Sequence, residues 1–206
     1  MTWALLYTLF GSQTNHPSNR NRDMKEDRLK WNRKHCAQQA EDDPCPTIQR
    51  FVHLAPLGRA LDIASGTGAE SLFLAQCGFL VEAVDISDKA ILNYMPRHPN
   101  LQPICADLDL FEIPRNRYDL IINLRYLNRR LFPYMQEALR PDGLLIFETF
   151  IEKSPAARST SFRRDYLLRP NELLHSFLAL RILYYEETTV GDAQDADTKA
   201  TLVARR

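Results

Sequence analysis

The sequence predicts one α/β domain with a doubly wound, mostly parallel sheet closed by an antiparallel pair of strands at the C-terminal end. Two observations carry this. Between residues 59 and 149, short aliphatic runs alternate with helical segments at the spacing of βαβ units, which implies a mostly parallel sheet. After residue 180, two long strand-like runs follow each other across one short acidic loop, the arrangement of an antiparallel pair.

Each element has a local reason. Residues 24–39 read as a polar helix carrying Leu29 and Trp31, broken by Asp42-Asp43-Pro44-Cys45-Pro46, with a short helix over 48–54. A first strand spans 59–64, and a small-residue turn leads into a helix over 69–76 that Gly78 terminates. The second strand covers 79–85, and Ser87 caps a helix beginning at Asp88. Strands at 101–105 and 118–123 follow. A helix over 131–139 stops before the turn sequence Arg140-Pro141-Asp142-Gly143, and a fifth strand covers 144–149. A polar linker over 152–164 precedes a helix over 170–177, for which Pro170 suits the first turn. Runs at 180–189 and 198–204 form the closing pair, in which Tyr184 and Tyr185 are packing residues.

At 206 residues the chain is long enough for one full core without disulfide staples. Its 26 basic and 26 acidic residues cancel, so no global field advertises a nucleic acid or a membrane surface as partner. Cys36, Cys45, Cys77 and Cys105 form no CxxC pair and stand beside no histidine at zinc spacing, so no metal site is expected. They read as reduced thiols of a cytoplasmic protein. Residues 1–10 are apolar but too short to span a bilayer and lack a basic leader. Residues 11–23 are polar and read as unstructured, which makes 1–23 an expected disordered extension and 24–206 the domain.

The chemistry concentrates in Ala60-Leu-Asp-Ile-Ala-Ser-Gly-Thr-Gly-Ala-Glu-Ser71, where the first strand gives way to the first helix. Open α/β sheets bind ligands in that crevice. Ala64, Gly66 and Gly68 leave room for a ligand to approach the backbone, and Asp62 stands ready to accept from an ammonium group or to orient the loop. Asp85 ends the second strand, where a carboxylate accepts both hydroxyls of a ribose. Asp107 follows the third strand, placed to accept from an adenine amino group, with Ile86 and Leu108 as apolar walls. Each acid also has a plain structural reading, as a turn or helix-start residue. Three acids at the ends of successive strands nevertheless form a line along one sheet edge.

With these segments, Tyr118-Asp-Leu-Ile121 and Leu139-Arg-Pro-Asp-Gly-Leu-Leu-Ile-Phe147, the chain resembles the class I S-adenosylmethionine-dependent methyltransferases. It is most similar to the small bacterial enzymes related to the tellurite-resistance and thiopurine methyltransferases. The resemblance runs from about residue 27 to the end. It implies a Rossmann-like, seven-stranded sheet with an antiparallel last strand, and S-adenosylmethionine as methyl donor. It also implies that Asp62, Gly66 and Gly68 flank the methionine portion, Asp85 the ribose and Asp107 the adenine, with Asn123 under the sulfonium. Two departures stand out: Ala64 where many members have glycine, acceptable while its φ stays negative, and His35 in a helix where relatives often carry tyrosine.

Methyl transfer from a sulfonium needs positioning more than a covalent intermediate. Arg125 and Tyr126, just after the fourth strand, are the acceptor-pocket candidates, Arg125 for an anionic group, with Glu148 at the end of the fifth. A small-molecule acceptor is expected. Arg158, Arg163, Arg164 and Arg169 read either as a solvated face or as an anion-attracting lid. Two rivals remain open at this stage. One is an NAD-dependent oxidoreductase, for which Gly66-Thr67-Gly68 and Ser71 give an imperfect GxGxxG; the other is a non-catalytic cofactor-binding module.

Overall fold

The computed structural model describes residues 17–37, 43–94, 97–152, 166–190 and 197–206. Its strands are β1 (Arg59–Ile63), β2 (Leu80–Asp85), β3 (Leu101–Cys105), β4 (Tyr118–Leu124), β5 (Leu139–Phe150), β6 (Arg181–Val190) and β7 (Asp197–Arg205). They form one seven-stranded sheet in the order β3-β2-β1-β4-β5-β7-β6. The first five run parallel, and β7 lies antiparallel to both β5 and β6. Helices α1 (Pro17–Ala37), α2 (Pro46–Phe51), α3 (Ala69–Gln76), α4 (Phe132–Ala138) and α5 (Glu172–Ser176) accompany it.

Alternation along the strands sends side chains to two faces, and helices cover both. Leu61, Ile63, Ile121, Leu145 and Phe147 pack beneath α4 and α5, where they meet Phe132, Met135 and Leu173. The rings of Phe132, Phe147 and Phe177 interlock there at centroid separations of 5.1–6.0 Å. Each such ring contributes about 1.5–3 kcal/mol by burial. Ala60, Leu120, Ile122, Leu144 and Ile146 face the other way, onto Ile48 of α2 and Leu74 and Ala75 of α3. Burial on both faces explains why Leu120, Ile121 and Ile122 in the middle of β4 are consecutive apolar residues instead of alternating with polar ones.

The structure departs from the sequence reading in four places. Helix α1 begins at Pro17, inside the stretch read as unstructured, because proline is suited to a first helical turn; residues 1–16 lie outside the described residues. Strand β5 begins at Leu139, not 144. Tyr118 and Leu120 pair with Leu139 and Leu144, so Arg140 to Gly143 form a bulge within the strand instead of a turn before it. Gly143 is required in it, since a Cβ there would lie 2.8 Å from the Arg140 carbonyl oxygen. The segment after Ser87 continues as a π-helical turn over Ala90–Tyr94. Helix α5 starts only at Glu172, because Asn171 takes a left-handed conformation (φ 60°) and separates Pro170 from it. The acidic loop over 191–196 and Arg158, Arg163 and Arg164 of the linker lie outside the described residues.

Candidate active site

The strand order reverses between β1 and β4, which lie side by side with Ile63 opposite Asn123. Such a switch point opens a crevice at the carboxyl ends of the strands. The turn after β1 fills its floor. Ala64, Gly66 and Gly68 all have positive φ, at 57°, 55° and 85°. The expectation of a negative φ at Ala64 is therefore overturned: the turn demands a left-handed residue there, and alanine supplies it at a cost of about 1 kcal/mol. Ala64→Gly removes that strain but gives the unfolded chain more freedom. The expected outcome is a net stabilisation of about 0.5 kcal/mol, read as a higher urea midpoint at unchanged denaturant slope.

Asp85 ties this turn together. It is buried, and its two carboxylate oxygens accept from the backbone N–H groups of Gly66 and Ser87, both at 2.8 Å. Ser87 in turn receives the N–H of Ala90 on its hydroxyl, as a capping residue should. Helix α1 docks on the same corner. Asn32 accepts from the Ser87 hydroxyl at 2.7 Å and donates to Asp88 at 2.8 Å. His35 lies over the turn, since a Cβ on Gly66 would sit 3.4 Å from its Cε1. Burial lowers the His35 pKa and so favours the neutral imidazole, while the attraction of Asp85 opposes the shift.

Asp62 lies beneath the turn, 3% exposed, and accepts from the Ser71 hydroxyl. Desolvation, reinforced by Glu70, pushes its pKa up to about 8. Glu70 and Ser71 are the site residues that sequence reasoning missed. Their signal was available: an acid in the first helical turn after Gly66-Thr-Gly68, and a hydroxyl nine residues beyond a strand-end acid.

Across the crevice, Asn123 is fully buried and donates to the Tyr126 carbonyl at 2.7 Å, while its Oδ1 has no hydrogen-bond partner. Ser65 Oγ is likewise buried and unpartnered. Tyr126 packs against the core, and burial pushes its pKa up to about 12, so it remains a phenol. Arg125 has φ 57°, its N–H bound to the Glu148 carbonyl at 2.8 Å, and its guanidinium 3.5 Å from Glu70.

The remaining candidates divide. Leu108 is buried and Ile86 half-buried, while Asp107 is half-exposed at the end of β3. One Asp107 oxygen accepts from the Asp109 N–H at 2.9 Å, as in an Asx turn. Glu148 does not stand open to a ligand. Only 7% exposed, it accepts from Thr47 of α2 and from Thr201 and Lys199 of β7, tying helix and hairpin together. Among the described residues, no group of three His, Cys, Asp or Glu side chains is placed to hold a metal ion. Nor is any helix among them long and apolar enough to cross a membrane.

A seven-stranded sheet with this order, a glycine turn at its switch point, an acid one residue before the end of β1 and another ending β2 define a Rossmann-like methyltransferase architecture. The chain belongs to the methyltransferase domain family, whose model matches residues 36–183. It is 31% identical over 103 residues to "Putative methyltransferase YqeM" of Bacillus subtilis (strain 168), covering 44% of this chain and 42% of that one. The match thus spans about two fifths of the length of that relative. Among solved structures it resembles TehB from Haemophilus influenzae, with TM-score 0.64 and 18% identity over 78% of this chain and 61% of that one. It also resembles the 1,6-didemethyltoxoflavin-N1-methyltransferase of Burkholderia thailandensis, solved with 1,6-didemethyltoxoflavin and S-adenosylhomocysteine. That match has TM-score 0.64 and 14% identity, over 96% of this chain and 93% of that one.

Proposed function

We propose that this chain transfers a methyl group from S-adenosylmethionine to a small-molecule acceptor by in-line displacement. The observation that carries the reading is the crevice itself, a glycine turn flanked by buried Asp62 and Asp85, with Asn123 on the adjacent strand holding a buried, unpartnered Oδ1. These residues fit the donor. An acceptor atom buried without a donor is costly unless a ligand supplies one, and the ammonium of a methionine portion is such a group. Asp85 retains lone pairs for the ribose hydroxyls beyond the two backbone donors it already holds. Ile86 and Leu108 supply apolar walls for the adenine, and Asp107 has a second oxygen for its amino group. Ala64, Gly66 and Gly68 let the backbone come close, and His35 closes over them.

When bound, S-adenosylmethionine supplies an electrophilic methyl group on a sulfonium. The chain's own contribution is to hold the acceptor on the far side of that methyl and keep water out. Helix α1, anchored by Asn32, covers the turn, and Tyr126 walls the acceptor side as a neutral phenol. Arg125 takes an anionic group on the acceptor. The 1,6-didemethyltoxoflavin bound by the Burkholderia enzyme and the zero net charge of this chain favour a small molecule over a nucleic acid. A calorimetric titration separates the donor from NAD: S-adenosylmethionine binds with micromolar affinity and NAD gives no saturable heat. Saturable NAD binding without S-adenosylmethionine binding overturns the reading. Release of S-adenosylhomocysteine on adding a panel of small acceptors distinguishes an enzyme from a module that only binds the donor.

A further inference from the structure

Glu70 has no part in the functional reading so far, yet it sits in the middle of the crevice. The residue, on the first turn of α3, is buried, and its carboxylate lies close enough to Asp62 to raise that group's pKa. Its Oε1 is 3.5 Å from Nη2 of Arg125, whose side chain is 47% exposed against 10% for the glutamate side chain. The anion is therefore fixed and buried, and the cation reaches it from solvent on a long arm. The separation exceeds the roughly 2.7–2.9 Å of a tight charge-assisted hydrogen bond, so this contact is easily exchanged. The Arg125 backbone, by contrast, is fixed by its N–H bond to Glu148, which leaves the guanidinium as the part that moves.

We propose that Glu70 and Arg125 form an exchangeable ion pair that couples the two substrates. The ammonium of the donor's methionine portion replaces the guanidinium on Glu70, and the released guanidinium binds an anionic group on the acceptor. This rests on the donor-binding reading above. The exchange keeps the buried carboxylate paired throughout, which matters because a buried unpaired charge is strongly unfavourable. It also makes the coupling reciprocal: an anion on Arg125 favours the donor as much as the donor favours the anion.

Two adenosine compounds separate the contributions. S-adenosylhomocysteine carries the ammonium; 5′-methylthioadenosine lacks the whole amino-acid portion. Glu70→Gln weakens S-adenosylhomocysteine by about tenfold or more, the scale of a lost charged hydrogen bond, and leaves 5′-methylthioadenosine unchanged. Arg125→Met tightens S-adenosylhomocysteine relative to 5′-methylthioadenosine, because Glu70 no longer has a partner to give up. Inorganic phosphate, at balanced ionic strength, tightens S-adenosylhomocysteine in the wild type and not in Arg125→Met.

Equal loss of both compounds in a folded Glu70→Gln, or loss of neither, overturns the role of Glu70. If that variant does not fold, Arg125→Met decides: weaker S-adenosylhomocysteine binding would place the guanidinium on the donor's carboxylate and refute the exchange. Absence of any phosphate effect in the wild type overturns the acceptor half. A wild type that binds neither compound overturns the donor reading itself, and this proposal with it.

Discussion

Asp85→Ala is expected to lose at least about 100-fold in affinity for S-adenosylmethionine, the equivalent of two charged hydrogen bonds at the low end of their range. The size follows from the double duty of this carboxylate. On the donor-binding reading its outward lone pairs accept the ribose hydroxyls, while its other contacts fix the N–H groups of Gly66 and Ser87. Alanine removes the ribose acceptors and frees the turn on which the rest of the donor rests. Asp85→Asn separates these effects. It keeps one oxygen acceptor and nearly the same shape, so it should fall between wild type and alanine. The check is a set of titration calorimetry isotherms on the three proteins, with thermal midpoints to confirm that all are folded. An alanine variant within about threefold of wild type, against the charged-bond scale above, would remove Asp85 from the donor site and leave it as a loop anchor.

Much of this site was legible in the sequence because its determinants are local. Residues at the carboxyl end of a strand lie at the crevice edge, so Asp62 and Asp85 were candidates from their places in β1 and β2, whereas Asn123 was implied only by the family resemblance. The same logic recovered the parallel core and the hairpin, which depend on apolar spacing and a short loop. What escaped depends on contacts distant in sequence or on backbone torsion. Nothing in the letters around Ala64 declares that a non-glycine residue will sit at φ 57°. The withdrawal of Glu148 depends on Thr47 and Lys199, about a hundred residues before it and fifty after it. The composition of Arg140-Pro-Asp-Gly suits a turn, but pairing of the flanking Leu139 and Leu144 with β4, and backbone hydrogen bonds of Asp142 and Gly143 with Arg206, draw it into β5 as a bulge. Glu70 was overlooked because an acid in a first helical turn is commonplace; its burial and its partner Arg125 set it apart, and both come from the fold.

Asp62 makes the stability of the chain fall as pH rises, in the direction opposite to that of an ordinary paired carboxylate. Its pKa is pushed up to about 8 by burial first and by Glu70 second, while the Ser71 hydroxyl works against the shift. In the unfolded chain the same group titrates near the usual value of about 4. Between those two values the folded state holds a proton that the unfolded state has released. Stability is therefore intact below about pH 4 and declines, by up to about 1.4 kcal/mol per pH unit, until the folded group also ionises near pH 8. Asp62→Asn imitates the protonated carboxyl and should abolish that slope. The variant matches wild type below about pH 4 and exceeds it by a margin that widens up to about pH 8, as read from urea midpoints at several pH values. A wild-type stability no steeper in pH than that of Asp62→Asn would mean that Asp62 is ionised in the fold. Donor binding supplies the second sign. A bound ammonium favours ionised Asp62, so binding near pH 7 should expel a proton. The observed binding heat should then vary with the ionisation enthalpy of the buffer, and should cease to vary in Asp62→Asn.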